Sequence, residues 1–218
     1  MPAFCIAIDG PAASGKGTIA TGLARELGLP VLDSGLLYRA VGVTVQREGG
    51  DPADAAIAEA VANRLDPAVL DDPAFRTREA GEAASLAAAH PGVRAALKDF
   101  QQRFAAREPG SVIDGRDIGT VIAPDAPAKI FVTATPEVRA ERRFKQLRGQ
   151  GEAVSYEEIL ADIRRRDERD SARASSPLVM AEDAALLDTT ELSISQAADA
   201  ARRIVEEARA RWEASLKG

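Results

Sequence analysis

The sequence predicts an α/β fold: a parallel five-stranded sheet flanked by helices, interrupted by two helical insertions. Three observations predict it. Short apolar runs alternate with helical stretches along the chain, the first run passes through a glycine-rich turn straight into a helix, and later helices open on strong capping signals. The expected strands are residues 4–8, 30–32, 111–113, 129–132 and 185–187. After the first strand, Ile19, Leu23 and Leu27 recur on one helical face. Thr135 followed by Pro136 supplies a cap and a first helical position, while Ser155 with Glu158 and Ser193 with Gln196 form capping boxes. The last helix repeats Ile194, Ala197, Ala198, Ala201, Ile204, Val205, Ala208 and Trp212 at helical spacing, a stripe expected to face the core.

Two stretches break the rhythm of the sheet. Residues 35–108 read as helices with almost no strand signal, broken at Gly49-Gly50, Asp71-Asp72-Pro73 and His90-Pro91-Gly92. Residues 148–175 hold Gly149 and Gly151 and then an arginine-dense helix. The expected organisation is one domain over 1–218, with a core at about 1–34, 109–147 and 176–218 and mobile insertions between.

At 218 residues and 45% hydrophobic, the chain can bury a sizeable core. Its net charge of −6 sets the overall field against polyanions, so no nucleic acid is expected as a partner. Cys5 is the only cysteine and lies in the first predicted strand, which excludes an internal disulfide. No run approaches the roughly 18 apolar residues that a membrane helix needs, and no signal peptide is legible. A cytoplasmic monomer with no membrane partner is expected.

Gly10-Pro11-Ala12-Ala13-Ser14-Gly15-Lys16-Gly17-Thr18 follows the first strand. Glycines at both ends of the turn permit successive N–H groups to point inward around a β-phosphate, and Lys16 adds a charge for the β- and γ-phosphates. The helix that begins there turns its positive dipole end to the same anion. This is a phosphate-binding loop, with Gly17 standing between the lysine and Thr18 where the usual pattern has Ser or Thr at once. Gly-Lys-Gly-Thr is a spelling common among nucleoside monophosphate kinases.

Further motifs leave the strands at the carboxyl edge of the sheet, where open α/β folds bind ligands. Leu32-Asp33-Ser34-Gly35 leads to Tyr38-Arg39, and Asp114-Gly115-Arg116-Asp117 leaves the third strand. Asp114 has the placing of a Walker-B carboxylate able to hold magnesium through water. In the arginine-dense helix, Arg166, Asp170 and Arg173 fall at i, i+4 and i+7, presenting cation, anion and cation on one face, with Arg164, Arg165 and Arg169 crowded beside them. The plainer reading is a solvated helix whose arginines pair with Asp162, Asp167 and Glu168.

Together these residues resemble the bacterial cytidylate kinase family. The resemblance rests on 8–18, 32–35 with Tyr38-Arg39, Arg76-Thr77, the Ser85 helix, Val93-Arg94, Asp114-Gly115-Arg116-Asp117-Ile118-Gly119-Thr120-Val121, 124–127 and 166–170. It implies a phosphate-loop NTPase-type fold with helical nucleoside-monophosphate-binding (35–108) and lid (148–175) insertions. It also implies transfer of the γ-phosphate of ATP to CMP or dCMP, with Mg2+. On matching positions Lys16, Arg116 and Arg39 would be catalytic; Ser34, Tyr38, Arg39 and Arg116 would hold the acceptor phosphate or line its pocket. Ser85, Arg94, Asp117 and Arg173 would surround the cytosine, and Arg166 and Asp170 would approach the sugar. Longer family members insert a small β-sheet where this chain has only ten residues between Leu65 and Arg76.

The residue types agree with that chemistry. A nucleotide phosphate is already an anionic nucleophile, so its phosphorylation needs positioning and charge neutralisation rather than a general base. The single histidine, His90, precedes a proline at a helix break and reads as structural or solvated. Two alternatives remain: a kinase of a small-molecule hydroxyl, for which Asp33 is the available base, and a nucleotide switch. The Asn/Thr-Lys-x-Asp element usual in guanine-reading switches is absent from the chain.

Overall fold

In a computed structural model that describes residues 3–217, five parallel strands run in the order β2-β3-β1-β4-β5. Residues 1, 2 and 218 of the expected domain lie outside the described residues. The strands are β1 Phe4–Asp9, β2 Val31–Asp33, β3 Gly110–Gly115, β4 Ala128–Thr133 and β5 Ala185–Asp188, each containing most or all of its expected apolar run. Central β1 pairs with β3 from Phe4 opposite Gly110 to Asp9 opposite Gly115, and with β4 from Ile6 opposite Ala128.

Alternation along β1 builds two cores from one strand. Phe4, Ile6 and Ile8 face α1 (Lys16–Leu27) and α8 (Ile194–Ser215), where Ile19, Leu23, Ala201 and Val205 close the layer. Cys5 and Ala7 face the opposite way, toward α2 (Ser34–Arg47), α3 (Ala55–Asn63), α4 (Arg78–Ala87) and α5 (Pro91–Ala105). Helices therefore cover both faces, as a sheet buried on both sides requires. Ile194 departs from the expected stripe: it is 77% exposed. It is the first residue after the cap Ser193, before the helix has turned its apolar face onto the sheet. Trp212 packs against Phe4 with ring centroids 5.1 Å apart, holding the far end of α8.

The chain between Leu65 and Arg76 forms two short 3₁₀ turns, Pro67–Asp71 and Pro73–Arg76, capped by Asp66 and Asp72. Phe75 from the second turn is buried with Ala40, Val43 and Ala80, so the short segment is pinned against α2 and α4. His90 precedes α5, and its Nε2 lies 3.1 Å from the carbonyl of Pro52. The remaining helices, α6 (Pro136–Gly149) and α7 (Tyr156–Ser171), pack on each other through Ala140, Leu147, Ile159 and Ile163. All three expected caps form, including both capping boxes.

Candidate active site

The chain after β1, β2 and β3, together with α4, α6 and α7, lines a cleft of about 540 Å³. Its floor is the loop from Gly10 to Thr18. Gly10 has φ 151° and sits against β4, where any Cβ would lie 2.0 Å from the carbonyl oxygen of Val132. Gly15, at φ 96°, turns the chain into α1. Only glycine satisfies both demands. Side chains from outside the loop hold its carbonyl groups. Arg139 Nη1 donates to Ala12 O at 3.3 Å, while Thr189 Oγ1 and Arg142 Nη1 donate to Ser14 O at 2.9 and 3.4 Å. Ser14 Oγ is buried without a hydrogen-bond partner among the described residues.

Lys16 Nζ rests 3.3 Å from Pro11 O. Burial and the nearby Arg116 push its pKa well below the usual lysine value, against the pull of Asp114 and Asp33. Burial, then Asp33, pushes Asp114 upward. An anion arriving on Lys16 and a cation near the two carboxylates would relieve both strains. Thr18, Asp33 and Asp114 all line the cleft. Thr18 is exposed, Asp33 half-buried and Asp114 buried; as hard oxygen donors lining one cleft they fit Mg2+, which needs only one or two carboxylates and keeps several of its waters. Asp33 Oδ1 also accepts from Gly35 N at 2.9 Å, capping α2.

Eight basic side chains line the cleft: Lys16, Arg39, Arg76, Arg78, Arg116, Arg143, Arg165 and Arg166. Five acids oppose them: Asp33, Glu79, Glu82, Asp114 and Asp162. Arg39 Nη1 donates to Phe75 O and Thr77 O at 3.0 and 3.1 Å, and Arg143 Nη2 comes to the same Thr77 carbonyl at 3.3 Å. Burial, then Arg143, lowers Arg39 to about 10; burial, then Arg116, lowers Arg166 to about 9. Burial is the larger cause for both, and the like charge of neighbouring guanidiniums adds to it.

The expected acceptor residues divide into two groups. Arg39, Arg116 and Arg166 line the open cleft with the phosphate loop. Ser34, Tyr38, Ser85, Arg94, Asp117, Asp170 and Arg173 do not line it. Ser34 is buried at the start of α2, its Oγ close beside Gly115. Arg94 and Asp117 form a buried ion pair at 2.5 Å, and the Arg94 guanidinium lies 5.3 Å from the centre of the Tyr38 ring. Burial raises the Tyr38 phenol, which Arg94 partly offsets. Ser85 Oγ, Arg94 Nε, and Arg173 Nε and Nη1 are buried without hydrogen-bond partners among the described residues. Unsatisfied donors and acceptors of this kind are costly, and a polar ligand reaching them would supply the missing partners.

Asp170 links the two groups. Arg116 Nε donates to its Oδ2 at 2.8 Å, Arg173 Nη2 donates to its Oδ1, and Arg166 Nε stands 3.9 Å away. Burial favours its neutral form, but the three guanidiniums outweigh that and hold its carboxyl at about 2. The three side chains do meet, but the expectation that one helical face presents them is corrected here, as is the solvated-helix alternative. Helix α7 ends at Ser171, so Arg173 lies beyond it and folds back, and Asp170 is fully buried. The neighbouring arginines are not an unpaired set: Arg164 meets Glu137, Arg165 meets Asp162 and Arg169 meets Glu82. Asp162 also takes Arg78 at 2.7 Å, tying α7 to α4.

Arg76, Arg78, Arg143 and Arg165 also line the cleft, and sequence alone gives them no role there. Nothing local marks Arg143, which reaches the cleft because α6 lies beside the phosphate loop.

The sequence comparisons with known proteins come to one family. The family model described as "Cytidylate kinase" matches residues 6–207. A cytidylate kinase of Caulobacter sp. (strain K31) is 66% identical over 96% of this chain and 97% of its own. One from Caulobacter vibrioides (strain NA1000 / CB15N) is 68% identical over 95% and 98%. Among solved structures, an uncharacterized protein from Eubacterium ventriosum aligns with a TM-score of 0.54 at 16% identity, covering 93% of this chain and 98% of its own. Shikimate kinase from Bacteroides thetaiotaomicron gives 0.50 at 17%, over 94% and 98%. These two likenesses concern the fold alone. The family match spans nearly the whole chain, and with it the phosphate loop, the Asp114–Thr120 turn and the arginine-dense helix, so the chain belongs to the cytidylate kinase family.

Proposed function

We propose that the protein transfers the γ-phosphoryl group of ATP to CMP or dCMP, giving ADP and CDP or dCDP. The observation that carries this reading is the eight-cation cleft joining the phosphate loop to Arg39, Arg116 and Arg166. Cations at such density, several with lowered pKa, suit a site that receives two phosphorylated ligands together. The donor's phosphates would lie in the loop 10–18 against Lys16. The acceptor phosphate would lie between Arg39 and Arg116, with Ser34 and Tyr38 beside it. Once bound, it attacks through its own oxyanion, so no side chain need take a proton. Lys16 and the guanidiniums neutralise charge as the phosphoryl group moves in line. Mg2+, held through Asp114 and Thr18, would supply further neutralisation of the donor's phosphates.

For the base, Ser85, Arg94 and Asp117 offer the needed donors and acceptors, and Arg173 would join them. Asp170, with Arg166, would meet the sugar. In this reading residues 35–108 form the acceptor lobe and 148–175 the lid that excludes water from ATP. The enzyme would work in the cytoplasm, as a monomer. A labelled-phosphate transfer assay with MgATP and a panel of nucleoside monophosphates tests the proposal. Efficient transfer to CMP and dCMP, and far slower transfer to AMP, GMP and simple hydroxyl compounds, is the expected result; a preference for a hydroxyl acceptor would overturn it.

A further inference from the structure

One buried carboxylate has no part in the chemistry above. Asp9 is the last residue of β1, directly before Gly10, and is only 6% exposed. Its two oxygens are each taken by one backbone N–H from the chain that follows β3: Ile118 N to Oδ1 at 2.8 Å and Gly119 N to Oδ2 at 2.7 Å. Those donors open the single helical turn Ile118–Ile122, whose first N–H groups have no partners within the turn. No ion pair involving Asp9 occurs among the described residues. An apolar residue here would leave two buried amides without acceptors, at the point where the chain leaves Arg116 and Asp117.

We infer that Asp9 is a positioning residue: it locks the Arg116-Asp117 turn to the strand that carries the phosphate loop, and so sets where the acceptor nucleotide sits relative to the donor. The inference rests on the proposed function and deepens it. β1 and β3 are already in register at Asp9 and Gly115, but that ladder ends there. Beyond it, the Asp9 carboxylate is the next tie between the two segments. Gly119 is packed against the same place, where a Cβ would stand 3.4 Å from Asp9 Oδ2 and 3.3 Å from the Lys129 side chain. The phosphate loop itself is held by other groups, namely Lys16 on Pro11 O, Arg139 on Ala12 O, and Arg142 and Thr189 on Ser14 O. Loss of Asp9 should therefore disturb the acceptor more than the donor.

The test is steady-state kinetics of the full chain with each substrate varied in turn, for wild type, Asp9→Asn, Asp9→Ala and Gly119→Ala. Asp9→Asn keeps one carbonyl acceptor but turns an amide N–H toward the second donor. It should raise KM for CMP about tenfold, leave KM for MgATP within about twofold, and narrow the preference for CMP over UMP. Asp9→Ala should do the same more severely. Gly119→Ala, which keeps Asp9 and presses on its carboxylate and on the Lys129 side chain, should move the same constants in the same direction by a smaller factor, and serves if the Asp9 variants fold poorly. Amide exchange should quicken at 116–122 and stay unchanged at 10–17. Equal rises in both Michaelis constants, or a fall in kcat alone, would overturn the inference. A wild-type protein that fails to phosphorylate CMP would instead overturn the functional reading.

Discussion

Arg139 of α6 and Asp167 of α7 form a two-pronged ion pair, Nη1 to Oδ1 at 2.9 Å and Nη2 to Oδ2 at 2.6 Å. The same guanidinium donates to Ala134 O at 2.8 Å and to Ala12 O in the phosphate loop. One buried side chain thus ties the arginine-dense helix to the donor loop. Arg139→Met should cost about 3 kcal/mol of stability, because it strands a carboxylate and two carbonyls. Asp167→Asn should cost less, about 1 kcal/mol, since an amide oxygen keeps one bond and the two carbonyls still hold Arg139. Urea unfolding of both variants and of the double variant measures the coupling. Additive losses would mean that the pair contributes nothing as a pair.

Asp170 is expected to matter to the free protein as well as to the acceptor. A solvated-helix reading would leave stability untouched by Asp170→Ala, but burial among three arginines changes that outcome. Removing the carboxylate leaves the Arg116, Arg166 and Arg173 charges facing one another, with a loss of about 3 kcal/mol. KM for CMP should rise well beyond that for MgATP.

The pH dependence of stability follows from the same residue. The three guanidiniums hold its native carboxyl at about 2, below the ordinary aspartate value. A depressed pKa stabilises the fold above the unfolded value and loses that contribution as pH falls through the native one. About 2 kcal/mol should therefore disappear, mostly between pH 4 and pH 2. Unfolding curves at pH 5, 4, 3 and 2 should show a shallower decline for Asp170→Asn than for wild type; parallel declines would refute the assignment.

Lys16→Ala should lower kcat with CMP roughly a hundredfold or more, about 3 kcal/mol of transition-state stabilisation, with a smaller change in either KM. Turnover close to wild type would remove Lys16 from the charge-neutralising set.

Base discrimination is checked by Asp117→Asn. CMP presents an amine where UMP presents a carbonyl, and a buried carboxylate facing that position rejects the carbonyl. The ratio of kcat/KM for CMP over UMP should fall at least tenfold. Because Asp117 also neutralises Arg94, some loss of stability should accompany it.

The sequence by itself determined the local features of this protein: five strands, the capping boxes at Ser155 and Ser193, and a glycine-bounded loop ending in Lys16. Each depends on chemistry within a few residues, such as alternation of apolar side chains, a hydroxyl three positions from an acceptor, or a glycine where φ is positive. The family's motifs were legible for the same reason, being short and contiguous. Only the tertiary structure decided which charges meet. Asp9 reaches Ile118 and Gly119 across more than a hundred residues, Arg143 enters the cleft from α6, and Asp170 is buried rather than solvated. Ile194 shows the converse, since a helical period assigns a face but not how far along the helix the sheet extends to cover it. Charge pairing and burial depend on which elements pack together, and that is set by the summed burial of two cores rather than by any local pattern.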